Sequence, residues 1–170
     1  MNYYKIIVLG SQCSGKSAII RYIQDNTNLV CIDHDEEIKK RHDGKYPEDH
    51  VYVSNEVLPS IEDYVLSLPK VIYSASFWGL NKDGVIDNEK ITLAKEKGFK
   101  FVNLTTDREI LEDRNKKRVS EGKDDASISF DWYQRVYKDM RKLNQFDFEI
   151  NTNGLVEDAA QKLISFINNQ

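Results

Sequence analysis

The chain reads as an α/β protein in three layers: a five-stranded parallel sheet, each strand returned by a helix, with helices on both faces. Three observations lead there. An aliphatic run at residues 4–9 leads directly into Gly10-Ser11-Gln12-Cys13-Ser14-Gly15-Lys16-Ser17, which is followed by a helical pattern with Ile19, Ile20 and Ile23 on one side. The eight-residue stretch fits G-x-x-x-x-G-K-[ST] at every fixed position, and that pattern works mechanically when strand, loop and helix follow in this order. Strand-like and helix-like runs then alternate to the last helix.

The first strand is residues 4–9, and the first helix is 17–26. Four further strand-like runs lie at 29–33, 70–75, 99–104 and 146–151. Between the second and third, residues 53–68 carry Val57, Leu58, Ile61, Val65 and Leu68 at helical spacing; residues 88–97 form a shorter, more polar helix stopped by Gly98. Residues 130–143 present Trp132, Tyr133, Val136, Tyr137 and Met140 as one stripe toward the core. The closing helix, 156–168, does the same with Val156, Ala159, Ala160, Leu163, Ile164 and Ile167. Ligands of such a sheet sit at the carboxyl ends of its strands.

At 170 residues the chain is expected to be one domain, 1–170, with a core large enough to need no staples. A net charge of −4 and a pI near 5.5 argue against a surface that coats nucleic acid. Two cysteines, Cys13 and Cys31, cannot build a disulfide framework or a zinc quartet, and with no signal-peptide pattern the expected compartment is the cytoplasm. Cys13 inside the loop reads as a small filler, with a redox role as the alternative. No apolar run approaches the ~20 residues of a membrane span.

The loop residues Gly10, Ser11, Gln12, Cys13, Ser14, Gly15, Lys16 and Ser17 are the candidate nucleotide site. Backbone N–H groups and the positive end of the helix dipole converge on a phosphate, Lys16 adds a cation, and the Ser17 hydroxyl is suited to Mg²⁺. Seventeen positions after Lys16 the second strand ends in Val30-Cys31-Ile32-Asp33-His34-Asp35. The loop, this D-x-D and the element order together resemble the small P-loop kinases, in particular the shikimate, gluconate and nucleoside or nucleotide kinase group, over nearly the whole chain. The resemblance implies the P-loop NTPase fold with sheet order 2-3-1-4-5, ATP with Mg²⁺ as donor, and an acidic pair facing the acceptor. Asp33 is the first choice for the carboxylate that takes the acceptor's proton or holds the metal, and Asp35 the second. Both could instead simply cap a helix beginning near Glu36. His34 between them is expected in a solvent-facing loop.

A lid is the next implication of the resemblance, and residues 107–125 supply it. Arg114 and Arg118, four apart, share a helix face from which two guanidinium groups can reach donor phosphates; Arg135 is a third possible ligand. A solvated helix laced with ion pairs is the competing reading. Asn151 and Asn153, after the fifth strand, correspond to the loop that borders adenine in related kinases.

The acceptor side departs from the family. Shikimate kinases carry a glycine run after strand three and an arginine between strands two and three, whereas here strand three runs into Ser76-Phe77-Trp78-Gly79, and no arginine lies between Arg41 and Arg108. Tyr73, Phe77 and Trp78 near the mouth, with few cations, suit a neutral hydroxyl acceptor such as a nucleoside, sugar or polyol, with Trp78 reading equally as a substrate platform or as core or lid packing. Arg41 and the stretch His42-Asp43-Gly44-Lys45-Tyr46-Pro47 after it can supply one anionic contact, which keeps a monophosphate acceptor open. The expectation is an ATP-dependent small-molecule kinase, monomer or homodimer, acting through Lys16, Asp33, Arg114 and Arg118. The alternatives are a nucleoside monophosphate kinase and a nucleotide-binding module without catalysis. A GTPase-type switch is disfavoured because Asn81-Lys82-Asp83-Gly84 misses the N-K-x-D register.

Overall fold

The computed structural model describes residues 3–81 and 83–169, with the side chain of His50 left out; Lys82 of the Asn81–Gly84 string lies outside these. Five parallel strands, β1 (Lys5–Leu9), β2 (Cys31–Asp33), β3 (Val71–Ala75), β4 (Lys100–Thr105) and β5 (Phe148–Asn151), are ordered β2-β3-β1-β4-β5, as the family resemblance implied. Central β1 pairs with β3, Lys5 opposite Val71 through Leu9 opposite Ala75, and with β4, Ile6 opposite Lys100 through Leu9 opposite Asn103. All five β1 residues are buried. A strand covered on both faces has no solvent side to make polar, so it is apolar throughout instead of alternating.

Side chains of period two divide β1 between two cores. Ile6 and Val8 join Ile19, Ile20 and Ile23 of α1 (Lys16–Asn26) and Ala159, Ala160, Leu163 and Ile167 of α8 (Val156–Asn168). Ile7 and Leu9 face the other way, toward α2 (His34–Arg41), α4 (Leu58–Ser67), α5 (Asn88–Glu96) and α7 (Phe130–Lys142). Helix α6 (Arg108–Ser120) lies apart from both, on a small cluster of Leu111, Ala126 and Phe130 that also touches Cys13.

Two boundaries differ from the expectation. Helix α2 begins at His34, two residues early, because Asp33 caps it by accepting from the Asp35 and Glu36 amides. The run at 53–68 is not one regular helix. A short α3 (His50–Tyr52) leads into a π-helical turn, Val53–Val57, in which the Leu58 amide donates to the Val53 carbonyl, and regular α4 follows. Pro59 at its start has no N–H to donate and its ring crowds the carbonyl four residues back, so the preceding turn widens.

Trp78 corrects one expectation outright: it is 2% exposed, its ring centroid 5.3 Å from that of Phe101, and it belongs to the core, so it forms no part of a substrate wall. Phe101 itself is fully buried on β4. Truncation to Ala leaves a cavity between β4 and Trp78, and Phe101→Ala is expected to lose about 3–5 kcal/mol of stability in urea unfolding with an unchanged slope; a loss below about 1 kcal/mol would contradict this packing.

Candidate functional site

The phosphate loop joins β1 to α1 and is shaped by two left-handed residues, Cys13 (φ 62) and Gly15 (φ 93), the latter capping α1. At Gly10 an added Cβ would meet Ser14 Oγ at 2.5 Å, so only glycine fits. Lys16 Nζ donates to the carbonyls of Gly10 (2.7 Å) and Ser11 (2.8 Å), which holds the ammonium over the loop. Burial pushes its pKa down to about 8, against the opposing pull of Asp35 and Asp33. Cys13 is a filler: its thiol packs on the α6 cluster, and burial raises it despite Arg118, Lys16 and Arg114 nearby.

Asp33 draws three elements together. Its Oδ2 accepts from Ser17 Oγ of α1 at 2.8 Å and from Ser74 Oγ of β3 at 2.9 Å, while Oδ1 accepts the Asp35 and Glu36 amides at 3.2 and 3.3 Å. The cap and the site are therefore the same carboxylate. Asp35, the second residue of α2 and exposed, has no hydrogen bond to its carboxylate among the described residues, yet its charge is felt by Lys16, His34, Tyr46 and Tyr133. Ser17 Oγ and Asp33 Oδ2 together offer two hard oxygens. That donor set fits Mg²⁺, which keeps most of its shell as water and phosphate oxygen. No group of three or more His, Cys, Asp or Glu able to hold a metal occurs among the described residues.

His34 is not the solvent-facing loop residue expected from the sequence. It is the first residue of α2 and half-buried, its ring edge-on to that of Tyr73, and its Nδ1 is hydrogen-bonded to the Tyr73 hydroxyl. Burial holds its pKa below the usual range.

Arg114 and Arg118 both turn toward the loop. Arg114 donates to the Cys13 carbonyl at 3.3 Å and to the Thr152 carbonyl at 2.5 Å; Arg118 donates to the Asp124 carbonyl in the loop after α6 and is the strongest cationic influence on Cys13. Asn115 pins the following turn, donating to Asp125 and accepting the Ala126 amide. The helical half of the expected lid is thus anchored by Leu111 and Asn115, which also hold Asp125 and Ala126, and residues 121–123 are its exposed tip. After β5, Asn153 accepts the Asp107 amide, Asn151 accepts the Asn153 amide, and Thr152 Oγ1 sits within hydrogen-bond distance of the Ser14 carbonyl (2.8 Å) and of Thr106 Oγ1.

Arg41 is taken up elsewhere: it pairs with Glu37 at 2.9 Å, donates to Ser60 Oγ and lies over the Tyr64 ring. Arg135 is exposed on α7. Phe77 is 49% exposed, against Trp132 and Tyr133. Lys90, which packs on Trp78, is bound to Glu62 at 2.6 Å. Sequence reasoning gave no role to Ser74 or Thr152 and set Tyr73 at the pocket mouth, whereas it is fully buried on β3 with its hydroxyl on His34. A signal existed for Ser74, a lone polar residue in an apolar strand run; Thr152 and Tyr73 are set by contacts 138 and 39 positions away, which local pattern cannot show.

Because Lys16 is pushed down to about 8, an anion in the loop restores its charge and draws in a proton. ADP binding at pH 8, by calorimetry in buffers of different ionisation enthalpy, is expected to take up about half a proton per site, falling to about a tenth at pH 7. Equal uptake at both pH values, or release at pH 8, would contradict the placement of Lys16.

No sequence-family model and no curated protein matches the chain. Solved structures do. It is similar to shikimate kinase from Bacteroides thetaiotaomicron (17% identity, 97% of this chain and 98% of that one, TM-score 0.68). It is similar to a gluconokinase from Sinorhizobium meliloti 1021 (19%, 99% and 95%, TM-score 0.57). A third likeness is the YorR protein of Bacillus subtilis, solved with phosphorylated GDP (18%, 96% and 95%, TM-score 0.66). The chain has the fold of the small P-loop kinases.

Proposed function

We propose that the protein is an ATP-dependent phosphotransferase that moves the γ-phosphoryl group to a hydroxyl of a neutral small molecule, a nucleoside or a sugar. One observation carries this reading: the hydroxyl that ends the phosphate loop, Ser17, is hydrogen-bonded to the carboxylate that ends β2, Asp33, with Lys16 curled over the same loop. Phosphoryl transfer needs little else from a protein than cations, a metal anchor and a positioned acceptor. Shikimate kinase and gluconokinase among the similar structures support a small-molecule kinase. No helix among the described residues is long and apolar enough to cross a membrane, and a cytoplasmic monomer or homodimer fits the reading.

Roles follow from occupancy. Bound Mg²⁺ would neutralise the donor's phosphate oxygens, held through Ser17 and Asp33. Lys16 leaves the Gly10 and Ser11 carbonyls for the outer phosphates, and Arg114 and Arg118 close on them from α6. Asp33 was the first choice from sequence for the acceptor's proton, but its oxygens already accept four hydrogen bonds. The open carboxylate of Asp35 is the better proton acceptor. Arg41 is paired to Glu37 and Lys90 to Glu62, so neither of these cations stands free for a carboxylate or phosphate, which supports a nucleoside or sugar over a nucleoside monophosphate. A binding module without catalysis is removed by any measured transfer.

Lys16→Ala and Ser17→Ala are expected to abolish transfer and weaken Mg²⁺-nucleotide binding. Asp35→Asn should lower turnover by roughly 10²-fold with ADP affinity kept, while Asp33→Asn also loses affinity and stability. Full activity in both aspartate variants would sink the mechanism.

Closure is read separately by hydrogen exchange. Exchange over residues 107–125 should slow on binding ADP and Mg²⁺, most at 121–123 and least around Leu111 and Asn115. Unchanged protection would make α6 a static surface helix.

A further inference from the structure

The Tyr73 hydroxyl is wholly enclosed on β3, and its one hydrogen bond among the described residues is to His34 Nδ1. A buried phenol proton needs an acceptor, and the imidazole nitrogen is the one in reach, so Tyr73 donates and Nδ1 accepts. A ring nitrogen that accepts belongs to a neutral imidazole whose proton sits on Nε2. Nε2 has no partner among the described residues, and His34 is half-buried at the carboxyl end of β2, next to the open carboxylate of Asp35. Of the charges around the ring, which also include Asp33, Lys16 and Lys90, Asp35 acts most strongly. A fixed N–H beside a free carboxylate is a matched pair for an alcohol, whose oxygen accepts and whose proton is donated.

We infer that His34 is an acceptor-binding residue: Tyr73 fixes its tautomer, and its Nε2–H donates to an uncharged oxygen of the acceptor alongside Asp35. The inference rests on the kinase reading above and narrows it, because a neutral donor next to a carboxylate selects hydroxyl or carbonyl oxygen and rejects carboxylate and phosphate. Tyr73 is a positioning residue that acts through His34.

The test uses the full chain with Mg²⁺-ATP and four named acceptors, thymidine, adenosine, D-glucose and the anionic shikimate, reading ADP formation. For the acceptor that the wild type uses, His34→Phe should raise the acceptor KM roughly tenfold, the worth of one good hydrogen bond, with the ATP KM unchanged. His34→Asn, which restores a donor, should recover part of this, and Tyr73→Phe should fall between. Nitrogen-15 spectra of the imidazole rings, with His34 assigned by its loss in His34→Phe, should show protonated Nε2 and bare Nδ1 in the wild type. Thermal unfolding of each variant separates misfolding from lost recognition. An unchanged acceptor KM in an active, folded His34→Phe or a wild-type Nδ1–H tautomer overturns the inference while the kinase reading stands. A preference for shikimate overturns the inference and the neutral acceptor proposed above, and leaves phosphoryl transfer standing. A wild type that transfers to none of the four and hydrolyses no ATP overturns the kinase reading itself.

Discussion

One carboxylate sets the geometry on which everything else depends. Asp33 accepts from Ser17 on α1, from Ser74 on β3 and from two amides at the start of α2, so the end of the phosphate loop, the sheet and α2 share one point. The buried Ser74 hydroxyl left without its acceptor costs about 1–3 kcal/mol, and loss of the helix cap costs about 1 kcal/mol, while the exposed Ser17 hydroxyl can turn to water. The same bonds explain why α2 starts at His34, and with that start come the position of Asp35 and the contact of His34 with Tyr73.

The loop is held from its other side by residues remote in sequence. Arg114 bridges the Cys13 and Thr152 carbonyls, and Thr152 reaches the Ser14 carbonyl. Cys13 sits in the left-handed region, where a non-glycine residue costs about 1–2 kcal/mol, and its packing on Leu111, Ala126 and Phe130 offsets that cost. Strain maintained by surrounding contacts is how a loop is kept in a shape suited to its ligand before the ligand arrives.

Much of this was legible in the residues. The phosphate loop declared itself because its glycines answer steric demands that are local: Gly10 faces Ser14, and Gly15 turns left-handed. The strands were legible because burial on both faces removes polar positions. Pairwise geometry was not. Whether Asp33 caps a helix or serves a site could not be decided from spacing, and the structure makes it do both. Trp78 looked like a pocket wall from its place after β3, yet the glycine at 79, with φ 84, turns the chain and sends the indole into the core. The pairing of Arg41 with Glu37 was available as an i,i+4 spacing, but its stacking on Tyr64 depended on how α2 and α4 pack.

The hydrogen bond from Thr152 to the Ser14 carbonyl also orders events in time. It spans 138 positions, and β1 pairs with strands whose first residues lie 66 and 94 positions beyond its own partners. Contacts this distant form late, because loop closure must come first. The glycine-rich loop therefore cannot be locked until β5 and the turn after it have joined the sheet. The candidate site is thus a product of the finished fold: its loop takes its final shape only when the most distant strand is in place.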